Sequence, residues 1–97
     1  MSYPVKETTV YNIDITLADT EYPLALPSST REIRFRCRTL FDIRYSFTGG
    51  KVAVPTSPWL VLPAGSDYYS DNNDLTAKTI YFACGNAGKT VELEIWT

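Results

Sequence analysis

Apolar and polar residues alternate with period two through most of this chain, as strands buried on one face require. Over 10–17, "VYNIDITL" sets Tyr11, Ile13, Ile15 and Leu17 on one side and Val10, Asn12, Asp14 and Thr16 on the other. "EYPLAL" over 21–26 is a weaker strand interrupted by Pro23, which belongs at a sheet edge because proline cannot donate to a ladder. The cleanest alternation spans 31–38, with Ile33, Phe35 and Cys37 opposed to Arg34, Arg36 and Arg38. Phe41, Ile43, Tyr45 and Phe47 continue in step. If these two runs form a hairpin turning at Thr39, Leu40 and Phe41, Arg38 faces Asp42, Phe35 faces Tyr45, and Arg36 meets Arg44. That last pair is like-charged and needs an acidic neighbour.

Gly49-Gly50 marks a strong turn, and "KVAVPTSP" over 51–58 is a connection or short edge strand. "WLVL" over 59–62 is a further strand stopped by Pro63-Ala64-Gly65. "SDYYSDNNDLTA" over 66–77 reads as a polar loop that exposes Tyr68 and Tyr69. Two strands close the chain: "KTIYFAC" with Ile80, Phe82 and Cys84 on one side, then "KTVELEIW" with Val91, Leu93 and Ile95 inward and Glu92, Glu94 and Trp96 outward. About seven strands and no amphipathic helix predict an all-β chain, a single antiparallel β-sandwich or jelly-roll-like barrel over 10–97, preceded by an N-terminal arm over 1–9.

Composition narrows the setting. A chain of 97 residues has room for one domain, and 44% hydrophobic with 21% charged residues is enough apolar content to fold it. A net charge of -2 gives no overall attraction to nucleic acid or to an anionic membrane. No stretch approaches the roughly 18 apolar residues of a membrane-spanning helix, and the first residues lack the pattern of a signal peptide, so a cytosolic product is expected. Cys37 and Cys84 are far apart and no histidine is present, so reduced thiols are expected rather than a metal site, with a disulfide open if their strands are neighbours.

Candidate chemistry is sparse. "ACGNAGKT" over 83–90 spells a relaxed phosphate-binding loop, but the following "VELEIWT" alternates as a strand, whereas a phosphate cradle needs a helix there. A hairpin connection between the last two strands is the expectation. Without histidine, the Ser-His-Asp and Cys-His nucleophile systems are absent. Asp14, Asp42, Glu92 and Glu94 fall on outward strand faces, where carboxylates are solvated rather than tuned. Asp67, Asp71, Asn72, Asn73 and Asp74 lack the order of a calcium loop and read as a solvated turn. No catalytic residue, cofactor or metal is expected.

Arg31, Arg34, Arg36, Arg38 and Arg44 gather five of the nine basic residues into fourteen positions. No aromatic residue alternates with the row as a stacking platform for nucleic acid would need. A cross-strand ion-pair face with Asp42, Glu32, Glu92 or Glu94 is the simpler reading, and contact with an acidic protein partner the second. Aromatic residues make up 13% of the chain, and Tyr3, Tyr68, Tyr69 and Trp96 fall in an arm, a polar loop or an outward position, where such side chains serve interfaces. Tyr3, Arg34, Arg36, Arg38, Tyr68, Tyr69 and Trp96 are therefore the candidate partner contacts.

The stretches "TEYPLALP", "LPAGSDYYSDN" and "TIYFA" through "VELEIW", with the segments between them, resemble small virion-associated proteins encoded among the particle genes of tailed bacteriophages. The resemblance runs from Tyr11 to Thr97. It implies a β-sandwich component of the particle, capsid-decorating or placed at head, neck or tail, made in the host cytoplasm. It implies other virion proteins as partners, while the exposed aromatic residues and the arm favour a homo-oligomer and the charge balance speaks against nucleic acid and membrane contact. A carbohydrate-binding module for the host surface, stacking sugars on Tyr68, Tyr69, Trp59 or Trp96, is the alternative.

Overall fold

The computed structural model describes residues 8–70, 75 and 77–97. Tyr3 and most of the expected arm lie outside the described residues, as do Asp71, Asn72, Asn73 and Asp74 of the acidic stretch.

Eight strands form among the described residues: β1 (Thr8–Ile15), β2 (Tyr22–Ala25), β3 (Glu32–Cys37), β4 (Ile43–Ser46), β5 (Leu60–Leu62), β6 (Asp67–Ser70), β7 (Thr79–Ala83) and β8 (Lys89–Trp96). They make two antiparallel four-stranded sheets, ordered β1-β8-β3-β6 and β2-β7-β4-β5. This order is an eight-stranded jelly roll, in which the chain passes from sheet to sheet at almost every connection. The expected all-β sandwich is present. The additional strand is β6: "DYYS" alternates too briefly to announce itself, and it forms because β3 offers it a free edge, pairing Arg34 with Tyr69 and Arg36 with Asp67. At the other end of the chain, Thr8 and Thr9, expected in the arm, already belong to β1.

The β2 assignment to an edge holds, with Pro23 opposite Tyr81. The expected β3–β4 hairpin does not form. Those strands lie in different sheets, and residues 38–42 arch between them. Charge and packing both favour this arrangement. Arg36 lies between Glu92 and Asp67 in register, and Arg44 lies between Val61 and Ala83, so the like-charge pair of the hairpin never arises. Phe35 and Tyr45 still meet, but edge to face across the core with ring centroids 5.1 Å apart. Residues 84–88 are likewise an arch and not a hairpin turn, because β7 and β8 belong to opposite sheets.

The inward positions of both sheets build one core. Ile15, Ile33, Phe35, Val91, Leu93 and Ile95 from one sheet face Ile43, Tyr45, Leu62, Ile80 and Phe82 from the other, all buried. Each such side chain contributes about 1.5–3 kcal/mol by leaving water. Leu17, expected to extend the inward face of β1, falls beyond the strand and is exposed.

The outer faces of the sheets differ. Residues 47–59 fold back as a strap over the β2-β7-β4-β5 sheet. Val52 of the strap is fully buried, Glu21 accepts the Gly50 N–H at 2.9 Å, and Arg44 donates to the Ala53 carbonyl at 3.5 Å. A Cβ on Gly49 would come within 3.2 Å of the Tyr81 ring, so the close approach of the strap to that ring leaves a side chain there room only if the ring shifts. Ser46 fixes the strap's ends, donating to Pro58 O at 2.8 Å and accepting from Thr48 N–H at 3.0 Å.

Candidate functional site

The outer face of the β1-β8-β3-β6 sheet carries most of the residues singled out by sequence. Register sets them in rows across the strands: Thr8, Trp96 and Glu32; then Val10, Glu94, Arg34 and Tyr69; then Asn12, Glu92, Arg36 and Asp67. Alternation dictates this, since every second residue of each strand points the same way.

Charge on the face is cross-braced. Arg34 Nη2 meets Asp67 Oδ2 at 2.7 Å, and Glu92 forks between Arg36 Nε at 3.3 Å and Arg38 Nε at 3.2 Å. Tyr69 donates its hydroxyl to Glu32 at 3.1 Å, and Thr90 donates to Asp14 at 3.1 Å. The hydrogen bond and charge of Asp67, with a smaller contribution from Glu94, raise the Arg34 pKa above its ordinary value. The expected cross-strand ion-pair face forms in part: Glu92 is one of its acids and Asp67 an unexpected second, whereas Asp42 accepts the Ala64 N–H and Arg44 lies in the other sheet with Asp19. A shallow depression of about 280 Å³ bordered by Val10, Arg34, Arg36, Glu92 and Glu94 lies on this face.

Five of the seven candidates, Arg34, Arg36, Arg38, Tyr69 and Trp96, thus share the outer face of one sheet. Tyr68 does not join them. As Tyr69's neighbour in β6 it points into the sandwich, stacked on Phe35 at 4.7 Å and set edge to face on Tyr45 at 5.5 Å. The Tyr45 hydroxyl is pushed up in pKa by burial, with the neighbouring Tyr68 phenol adding to the shift. A glycan platform made of both tyrosines is consequently not presented.

The residues that spell the phosphate loop are engaged elsewhere. Lys89 places its ammonium 3.6 Å over the Phe41 ring, Thr90 bonds Asp14, and both belong to a strand. Gly88, at φ +77°, turns the chain so that its N–H reaches Ile15 O at 2.8 Å, while Cys84 O accepts the Asp19 N–H at 2.8 Å. The arch thereby ties the two sheets together at one end. Cys84 is buried, with its thiol 3.4 Å from Asp42 O, and neither it nor the half-buried Cys37 is bonded to another cysteine. Among the described residues, no three of the side chains that ligate metals come together.

Sequence reasoning missed a second surface, at the free edge of β5. Trp59, Leu60 and Val61 are exposed there, between two grooves. The signal available was "WLVL" itself, four apolar residues in a row within an alternating chain. Such a run fits a strand with apolar surroundings on both faces, and here Leu60 and Val61, which point to opposite faces, are both exposed.

Comparison with protein-family models, curated proteins and solved structures finds no match to this chain.

Proposed function

We propose that this chain is a non-enzymatic structural component of a tailed bacteriophage particle, a capsid-decorating or head-associated protein that binds other virion proteins through the outer face of the β1-β8-β3-β6 sheet. The observation that carries the reading is the contrast between the faces. One sheet is covered by its own strap, whereas the outer face of the other presents paired arginines and carboxylates with Val10 and Tyr69 exposed among them and Trp96 half-exposed. Such an array contributes little to stability, since exposed ion pairs are worth about 0–1 kcal/mol. It is well suited to orienting and selecting a charged protein surface. The resemblance of "LPAGSDYYSDN" and "VELEIW" to virion-associated proteins supplies the setting, as does a jelly roll, a fold that capsid domains use, the latter by analogy alone.

The test is incorporation into particles. A map of the intact particle should locate this chain with the β3 and β8 face against a neighbouring virion protein. Arg36→Glu, which sets a third carboxylate beside Glu92 and Asp67, should reduce incorporation at least tenfold while the isolated chain still folds. Wild-type incorporation of this variant would contradict the face assignment, and absence of the chain from purified particles would contradict the reading itself.

A further inference from the structure

Two sheets of four strands leave four edges, and three of them are protected. Edge strands expose unpaired N–H and C=O groups, and proteins discourage stray pairing there with charge, proline or cover. Asp14 stands on β1, Pro23 interrupts β2, and β6 carries Asp67 in its ion pair with Arg34. β5 is short and followed by Pro63, but it carries no charge and no proline of its own: it reads Leu-Val-Leu, and no described strand pairs with its outer side. Leu60 is 59% exposed and Val61 47% exposed, with Trp59 and Phe47 exposed beside them.

The surroundings of this edge fit an added strand. Leu60 pairs with Tyr45 and shares its side of the sheet, where a groove of about 410 Å³ is lined by Phe47, Pro58 and Trp59. Val61 pairs with Arg44 on the opposite side, where a groove of about 520 Å³ is lined by Leu40, Phe41 and Trp59. A strand laid along β5 would send alternate side chains into the two grooves, which is how strand addition combines backbone pairing with side-chain recognition.

We propose that the occupant is β5 of a second copy, paired antiparallel about a two-fold axis at Val61, so that two four-stranded sheets become one of eight. The segment is complementary to itself. Val61 would oppose the partner's Val61 and Leu60 the partner's Leu62, apolar against apolar throughout, and an isologous contact of this kind closes as a dimer. The charges at the rim allow an identical face to approach: Asp42 and Arg44 are opposite in sign, Asp42 accepts the Ala64 N–H at 2.7 Å, and Arg44 is held by Asp19 at 2.6 Å. Each copy also brings its own Trp59, Phe47 and Leu60, so both exposed apolar patches are covered at once. The inference deepens the proposed function by naming how copies associate, and rests on that reading only for its setting.

Sedimentation of the isolated full-length chain tests it. The wild type should be dimeric at micromolar to millimolar concentration. Val61→Lys and Leu60→Lys, both at exposed positions, should weaken association at least tenfold with unchanged thermal unfolding of the monomer, whereas Val10→Lys on the other sheet should leave it intact. In a Cys37→Ser background, Val61→Cys should cross-link two copies on mild oxidation, because residues directly opposite in antiparallel strands lie about 4.5–5.5 Å apart, within disulfide reach. Val10→Cys should not cross-link. A wild type that stays monomeric overturns the inference, as does a dimer indifferent to Val61→Lys or cross-linking at Val10 in place of Val61. A monomer whose β5 edge becomes protected only on adding another virion protein also overturns it, in favour of strand addition from a different chain. None of these outcomes touches the virion reading, which is judged by incorporation through Arg36.

Discussion

The two sheets have similar inward faces and opposite outward ones. Behind β4 and β7, the strap buries Val52 and takes up Glu21 and Arg44 in holding itself down. Behind β3 and β8, the side chains are braced by ion pairs and hydrogen bonds across the strands, with Arg36 59% and Arg38 50% exposed. Similar residue types therefore serve different ends. An arginine under the strap is largely withdrawn from water, with its side chain 16% exposed, while Arg36 on the open face is 59% exposed. Removing a partner from the first leaves a charge that water cannot reach easily, whereas removing one from the second leaves a charge that water solvates at once. On the proposed reading, the covered face serves stability and the other association.

The largest break in that contrast should come from Val52. Val52→Asp places a carboxylate at a site with no exposed surface and should cost about 3 kcal/mol or more, read as a lower urea midpoint with faster amide exchange around Tyr81 and Arg44. Val10→Asp, on the open face, should shift the same midpoint by less than about 0.5 kcal/mol. Equal losses would mean that the strap is not what closes its sheet.

Asp19 comes next. It pairs with Arg44 at 2.6 Å, and among the described residues the buried Arg44 Nε makes no hydrogen bond, so compensation of that guanidinium falls mainly on this carboxylate. Asp19 has φ +50°, a conformation asparagine tolerates well, so Asp19→Asn removes the charge without straining the turn. The expected loss is about 1–1.5 kcal/mol, tempered because Asp19 itself is open to solvent. Denaturation at pH 7 in low and high salt should find the loss nearly salt-independent. A loss that vanishes in salt would put Arg44 electrically on the surface and weaken the contrast.

What was legible in the sequence was the direction in which each strand faces. Ile33, Phe35, Val91, Leu93 and Ile95 stand inward as alternation requires, because a one-residue slip would turn the whole set to water. Neighbourhood was not legible. Only β4 and β5 are adjacent both in sequence and in a sheet, and the other connections cross the sandwich, so reasoning that joins successive strands into hairpins fails at residues 38–42 and 84–88. Local periodicity carries no information on which sheet a strand joins. That choice is made by long-range terms such as the fit of Arg36 between Glu92 and Asp67 and of Phe35 against Tyr45. The candidate face was readable to the same degree: Arg34, Arg36, Arg38 and Trp96 were placed outward correctly, while Tyr68 and Tyr69 were treated as a pair although consecutive strand residues must part. The strap was hidden because 47–59 has no periodicity, and its function depends on Glu21, Arg44 and Tyr81, each distant in sequence.

A small stability effect is the most informative about function. Glu92 holds both Arg36 and Arg38, so Glu92→Gln removes two ion pairs in one change. Both arginines are at least half exposed, and water and salt take over their solvation, so unfolding should shift by only about 0.5 kcal/mol and by less at high salt. The face changes far more than the fold, because one carboxylate is lost from a row in which Arg36 and Arg38 then stand with Asp67 as the nearest acid in register. If the open sheet is the contact surface for virion proteins, incorporation or pull-down by particle components should change severalfold in a variant whose melting temperature hardly moves. If thermal stability falls by several kcal/mol instead, the ladder is part of what holds β3 to β8, and the division between a stabilising face and an associating face fails at its most exposed point.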